Sequence, residues 1–362
     1  MPESAIPRSL LPYLADENLR FPAQPRFAAG MNIFQMPTGL GVQIRGLNVP
    51  VYLGGEQSNS SVAFLQEYLD GARTLPEIFE KCPEESREIV GKTIALLFMK
   101  GLLANGPEVG PDAIKDCRRS LANGESTYLD RFVGLTGLHR SGIEAANQLG
   151  SSSVLVVSDG LAGGICAALL EESGVQNVTS MIYSVKKQTA HQSVSGREPH
   201  FDIISEITAN LDRNSFELVI AIFTCAPQSL CIELNRLCYD NNTPILFGNA
   251  VAEGMDIGPL VVPPNDGCYE CLVNRERSIN PVAVETELFE RHTAATGSEP
   301  PFSLNLSTSS FLASSLAMEA VKFLSKISSD LLLKAMIRIP NWSIESRRNR
   351  FISVPRCETC GR

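Results

Sequence analysis

A chain of 362 residues, 44% hydrophobic and 20% charged, is too long for one ordinary core, and no apolar run in it approaches the roughly 18 residues that a membrane span needs. The net charge of −9 opposes a general affinity for nucleic acid or an anionic membrane surface. The opening stretch, MPESAIPRSLLPYLADENLRFPAQPRF, carries neither a basic segment followed by an apolar one nor an Arg-rich amphipathic helix, so the reading is a cytoplasmic protein.

Residues 1–30, rich in Pro and Ala and without periodicity, read as an irregular arm. Three short extended stretches follow, NIFQM, GVQIRG and PVYLG, separated by Pro, Gly and Asn in the manner of a small antiparallel sheet. Helical spacing begins at once: Val62, Phe64, Leu65 and Leu69 in one helix, Leu75, Ile78 and Phe79 in a second, and Ile89, Val90, Ile94, Leu96, Leu97 and Phe98 in a third. Three strands and three helices over 31–108 resemble a winged-helix (α+β) domain. A Gly/Pro-rich linker, GPEVGPDAIKD, places a boundary near residue 110, with a second domain over 120–362.

That second domain opens with a helix expected over 128–149. The run SSSVLVVSDGLAGGICAALLEESGV then gives strand, Gly-rich turn and helix, the opening of an α/β Rossmann-type domain. NVTSMIYSV, FELVIAIFT and TPILFGNAV are strands suited to a sheet covered on both faces, with LCIELNRLCYD a helix between the last two. A helix in SSFLASSLAMEAVKFLSKI and strands in AMIRIPNWS and NRFISV complete the chain.

Ten cysteines in so long a chain without an export signal point to reduced thiols and metal ligands. Two C-x-x-C turns, Cys268-Tyr-Glu-Cys271 and Cys357-Glu-Thr-Cys360, lie 85 residues apart. Four thiolates suit one tetrahedral, structural Zn²⁺ with no open coordination position, and each tight turn delivers two of them. The competing reading is redox chemistry or two unrelated pairs. Asn265, Asp266 and Gly267 before the first pair, and Pro355 and Gly361 around the second, favour bending amides toward the sulfurs. Cys82, Cys117, Cys166, Cys225, Cys231 and Cys238 read as small core or surface thiols. His139, His191, His200 and His292 are scattered, and no catalytic constellation is apparent.

Gly160, Gly163 and Gly164 form the loop that could turn backbone amides toward a nucleotide phosphate. The fold needs these glycines with or without nucleotide, and Asp159 would repel the anion and is expected to cap the helix. A ribose-binding carboxylate is expected after the second strand, where the chain has Tyr183, Ser184, Val185, Lys186 and Lys187.

Tyr-Leu-Asp-Arg at 128–131, the Gly-rich turn at 154–164, PILFGNAV at 244–251, CYECL at 268–272 and PRCETCG at 355–361 together resemble the ThiF/MoeB superfamily of ubiquitin-activating-enzyme-like adenylating proteins. With the winged-helix unit ahead of it, the chain resembles the leader-peptide-binding proteins of thiazole/oxazole-modified microcin biosynthesis. That resemblance implies a precursor-recognition element that grips a ribosomal leader peptide, a YcaO-type cyclodehydratase partner, a ThiF-like body that is often degenerate, and a homodimer. Active relatives carry Gly where this chain has Ser158, an Asp at the end of the second strand, and an Asp near the phosphates where it has Thr224, Cys225 and Ala226. Without those carboxylates Mg²⁺ and phosphate charge go unsupported.

The leader would add as a strand to the sheet, with Gln35, Val42, Ile44 and Val51 on the strands and Ile89, Lys92, Thr93, Leu96 and Leu97 on the groove helix as candidate contacts. Arg87 and Lys92 could meet an acidic leader, although exposed charges of this kind are usually solvated. Three alternatives remain open. One is an ATP-dependent adenylating enzyme that itself modifies the precursor, as pantocin-type relatives do. The others are sulfur transfer through Cys225 and a DNA-binding regulator, the last opposed by the acidic chain and the lack of a basic recognition helix.

Overall fold

The computed structural model describes residues 6–28, 31–36, 40–45, 51–106, 128–183, 201–224, 228–251, 254–265, 267–281, 283, 306–328, 331–340, 343 and 345–361. They divide into two compact units, residues 1–149 with 325–329 and residues 150–324 with 330–362.

The first unit starts with a short helix, α1 (Leu11–Ala15), and a strand, β1 (Pro25–Phe27). Next come β2 (Asn32–Met36), β3 (Gly41–Arg45) and β4 (Val51–Gly54), an antiparallel sheet in the order β2-β3-β4. Three helices follow as their spacing predicts: α2 (Glu56–Tyr68), α3 (Leu75–Lys81) and α4 (Arg87–Met99). Thr74 and Glu77 form a capping box that starts α3, and the two bonds from Thr74 hold the Glu77 carboxyl below its ordinary pKa. The inner face of the sheet (Val42, Ile44, Leu53) shares one core with Val62, Leu65, Ile78, Phe79, Val90, Ile94 and Leu97. Strand β5 (Leu103–Asn105) returns to pair antiparallel with β1.

Residues 128–149 do not form the single helix expected. A helical turn is followed by α5 (Val133–Thr136), which stops where Gly137 takes a left-handed conformation (φ 62°) that a side chain disfavours; α6 (Gly142–Ser151) begins afresh. This segment, assigned from sequence to the second domain, packs with the first unit. Arg26 on β1 meets Asp130 in a bidentate pair (2.8 and 2.9 Å) from which solvent is nearly excluded, and Asp130 also accepts from the Gly142 amide at 2.7 Å. His139 bonds the Ser325 carbonyl at 2.8 Å.

The second unit is built on a seven-stranded sheet in the order β12-β11-β10-β9-β8-β6-β7. Strands β6 (Ser153–Ser158), β7 (Asn177–Ile182), β8 (Leu218–Phe223) and β9 (Ile245–Val251) run parallel. Strands β10 (Gly254–Val261), β11 (Ala335–Pro340) and β12 (Arg347–Arg350) extend the sheet antiparallel. The parallel strands are joined through α7 (Leu161–Glu172), α8 (Phe201–Arg213) and α9 (Gln228–Asp240). Helix α10 (Tyr269–Ile279) follows β10 and packs on α9, while α11 (Leu306–Leu324) lies against α7 and strands β8 to β10. Strands β8 and β10 are buried along their whole length, as the middle of a covered sheet requires. The final strand, β12, overlaps the expected NRFISV stretch at Asn349 and Arg350, while residues 351–354 fall outside any strand. No described helix is long and apolar enough to cross a membrane.

Candidate functional site

The four cysteines of the two C-x-x-C pairs converge in the second unit, and their sulfurs all lie within 4.8 Å of one another. The first pair is not the free turn expected from sequence. Cys268 is the N-cap of α10 and Cys271 sits in its first turn, where the helix dipole favours a thiolate. The second pair lies in a turn closed by the Gly361 amide on the Cys357 carbonyl. Cys268 and Cys357 sulfurs are 3.7 Å apart, Cys271 and Cys360 3.4 Å, and Cys268 and Cys271 4.0 Å. Tetrahedral Zn–S bonds of about 2.3 Å demand sulfurs about 3.8 Å apart, so the donor set fits such an ion in both number and spacing.

Burial pushes the Cys268 thiol well up, and the Cys271 thiol up to about 11. For Cys360 burial acts in the same direction, but the amides of Cys268 and Gly267 and the neighbouring thiols outweigh it and the net shift is downward. The Val354 amide donates to the Cys271 sulfur at 3.3 Å, the kind of contact that supports a thiolate ligand.

Around the cluster lies a polar layer that the sequence did not announce. Glu270, between the first two cysteines and almost wholly buried, accepts from Arg236 at 2.7 Å and from the Thr359 hydroxyl at 2.6 Å. Arg236 also donates to Glu358 at 2.6 Å. Its partners are 34 and 122 residues away in the chain, beyond the reach of any local pattern. The Arg236 guanidinium is held above its ordinary pKa, first by its bond to Glu270.

The Gly-rich turn lies at the crest of the same sheet. Strand β6 has β7 on one side and β8 on the other, so the strand order reverses there, which is where open α/β sheets take ligands. Asp159 spans this crest. Its carboxylate accepts from the Thr224 amide at 2.8 and 2.9 Å and from the Thr224 hydroxyl at 3.1 Å. It therefore ties the ends of β6 and β8 instead of capping α7, whose N-cap is Gly160 with no side-chain cap.

Gly163 is needed for close packing: a Cβ there would come within 1.9 Å of the Ser158 hydroxyl oxygen. Gly160 and Gly164 face open space. Ser158 is buried against Gly163. Tyr183 is buried after β7, its hydroxyl pushed up by burial and then by the Asp159 charge. Residues 184–187, Cys225 and Ala226, like Cys117, Asp266, His191, His200 and His292, lie outside the described residues.

In the first unit, β3 is the central strand, so Val42 and Ile44 have backbone partners on both sides and side chains in the core. Gln35 is exposed on outer strand β2, and Val51 is half-buried on outer strand β4. On α4, Thr93 is buried and bonds the Ile89 carbonyl, Leu97 is in the core, and Ile89, Lys92 and Leu96 keep partial or full exposure along one stripe that ends at Met99.

No protein-family model matches the sequence, and no curated protein matches it significantly. Solved structures do share its fold. MccB from E. coli superposes with a TM-score of 0.65 at 16% identity, over 93% of this chain and 97% of MccB. MccB with ATP gives 0.62 at 16% identity, over 93% of this chain and 99% of that one. The heterocyclase TruD gives 0.59 at 18% identity over 94% of this chain, which spans only 43% of TruD. The mixed α/β fold thus matches that of MccB.

Proposed function

We propose that the chain binds the leader of a ribosomally made precursor peptide on its first unit and presents it for modification, of the azoline or azole heterocycle type, by a YcaO partner. The observation that carries the reading is the small antiparallel sheet whose outer strands, β2 and β4, each pair on one side only among the described residues. An extended peptide can add to such an edge by main-chain hydrogen bonds. In this proposal strand β4, with half-buried Val51 and exposed Tyr52, and the partly exposed Ile89, Lys92, Leu96, Met99 stripe of this winged-helix-like unit receive it. Gln35 remains a candidate on the β2 edge. Val42, Ile44 and Thr93 act in this proposal by shaping the core beneath. MccB has been solved with MccA and a heterocyclase with substrate and cofactor, in keeping with a peptide ligand.

The second unit serves as a scaffold with a degenerate nucleotide loop. Asp159, tied to Thr224, puts negative charge where phosphates would approach, and Ser158 fills the turn. Cys268, Cys271, Cys357 and Cys360 hold Zn²⁺, which would supply a structural cross-link and no open coordination position. A homodimer through this unit, in the cytoplasm, completes the proposal by analogy with the family.

A second reading is favoured by one observation: the match to MccB, which has been solved with ATP, extends over both chains almost entirely, whereas TruD is matched over less than half its length. In that reading the chain adenylates and modifies the precursor itself. Titration with a cognate leader, then with ATP·Mg²⁺, followed by assay for released AMP and phosphate, separates the two. Leader binding without nucleotide binding or turnover supports the scaffold. Precursor-dependent turnover overturns it and makes the Gly160 loop an active site; failure to bind leader sinks both.

A further inference from the structure

Asn235 and Arg236 are consecutive on α9, and between them they reach all four middle residues of the two C-x-x-C pairs. The Asn235 side-chain oxygen accepts from the Tyr269 amide at 3.0 Å, and its nitrogen donates to the Thr359 hydroxyl at 3.3 Å. Arg236 donates to Glu270 at 2.7 and 3.4 Å and to Glu358 at 2.6 Å. The Thr359 hydroxyl closes the ring onto Glu270 at 2.6 Å. Asn235 is fully buried. None of these contacts uses a thiol, so none depends on an ion being present.

Charge points the same way. A divalent ion with four thiolates carries a net charge of −2 by simple addition, and Glu270 and Glu358 add to it. Among the described residues, Arg236 is a cation that touches both carboxylates. A buried carboxylate deprived of its cation beside thiolates would oppose the cluster.

We propose that Asn235 and Arg236 form a metal-independent latch, positioning residues that hold the two cysteine pairs at ligand distance before the ion arrives and balance its anionic cage afterwards. The proposal rests on the zinc reading above. Partners in the layer behind a metal's ligands typically set 10- to 100-fold in affinity, and the latch acts at that level.

The test compares wild-type protein, Arg236→Met, Arg236→Lys and Arg236→Met/Glu270→Gln. Zinc content is measured by elemental analysis, zinc affinity by competition with a chromophoric chelator, and hydrogen exchange of residues 355–361 in chelator-stripped protein. Arg236→Met is expected to weaken zinc by about 10- to 100-fold and to remove protection of 355–361 in the stripped protein. Arg236→Lys should lose less. Arg236→Met/Glu270→Gln should recover most of the affinity, because it removes the stranded charge, but not the protection. Wild-type affinity and protection in Arg236→Met would overturn the latch, as would a double variant no better than the single one. Should wild type take up no zinc, the metal reading falls, while the latch still stands or falls on the exchange of the stripped proteins.

Discussion

The cysteine cluster and the Gly-rich crest stand on one sheet, and both were marked in the sequence, yet they differ in what the marks meant. At the cluster the residue types are themselves the chemistry: four sulfurs within 4.8 Å of one another could hold a metal ion. At the crest the glycines serve the backbone first. Gly163 is demanded by Ser158, and Asp159 spends its oxygens on Thr224. A motif made of ligands therefore carries more functional information than one made of permissive backbone.

Alkaline titration gives the widest separation between the clustered thiols and the buried thiols elsewhere. Burial pushes Cys166, Cys231 and Cys238 up from 9.0 to about 12. A thiol pKa raised by folding gives stability that is intact below 9 and drains away as pH climbs toward 12, because the unfolded chain loses its protons first. Three units correspond to an upper bound of about 4 kcal/mol per thiol. Denaturant unfolding from pH 8 to 11 should show this loss, and stripped protein should lose more than zinc-loaded protein, since the raised Cys268 and Cys271 thiols then join the protonated set and outweigh the downward shift of Cys360. Equal loss in both would break the contrast. Zinc affinity itself should rise with pH, as fewer protons need be displaced.

Removing one ligand comes next. Cys271→Ser takes away one of the four sulfurs and should weaken zinc by more than any change behind the ligands, with a lower thermal unfolding temperature, read by chelator competition and thermal unfolding. At the crest, Gly163→Ala should cost about 1–3 kcal/mol through overpacking against Ser158. The double variant Ser158→Gly/Gly163→Ala should regain most of that in denaturant unfolding; additive losses would show that the contact is not the cause. Smallest is Asp159→Ala, expected to cost about 1–2 kcal/mol by leaving Thr224 donors short of a partner, with leader affinity unchanged in calorimetry. Were the crest catalytic, the same change would instead remove precursor-dependent AMP release.

The small sheet and the three helices of the first unit were legible because their apolar positions alternate or recur at helical spacing, and β6, β8 and β9 because buried parallel strands are apolar throughout. Strand β10 was missed. Its sequence GMDIGPLV puts Asp256 inside a buried strand, tolerated only because Arg338 on β11 meets it with two bonds of 2.7 Å from 82 residues away. Gly137 broke a helix that its flanking apolar residues suggested. The β3 residues Val42 and Ile44 looked like groove contacts because alternation identifies a face but not what covers it. Asp159 looked like a helix cap because only the strand order brings Thr224 beside it. Nothing local in LCIELNRLCYD marked Asn235 and Arg236.

The 89 residues that separate Cys268 from Cys357, and equally Cys271 from Cys360, bear on the order in which the second unit assembles. Closing so long a loop in an unfolded chain costs about 4 kcal/mol plus a constant, a step that slows any pathway led by the cross-link. Pairing of β10 with β11 closes a loop of nearly the same length, Ile257 to Ile337, but offsets that cost with a ladder of backbone bonds, so the turns come together without the ion. The main refolding phase after dilution from denaturant should therefore run at the same rate with chelator as with zinc, the ion arriving on a unit whose topology is already complete.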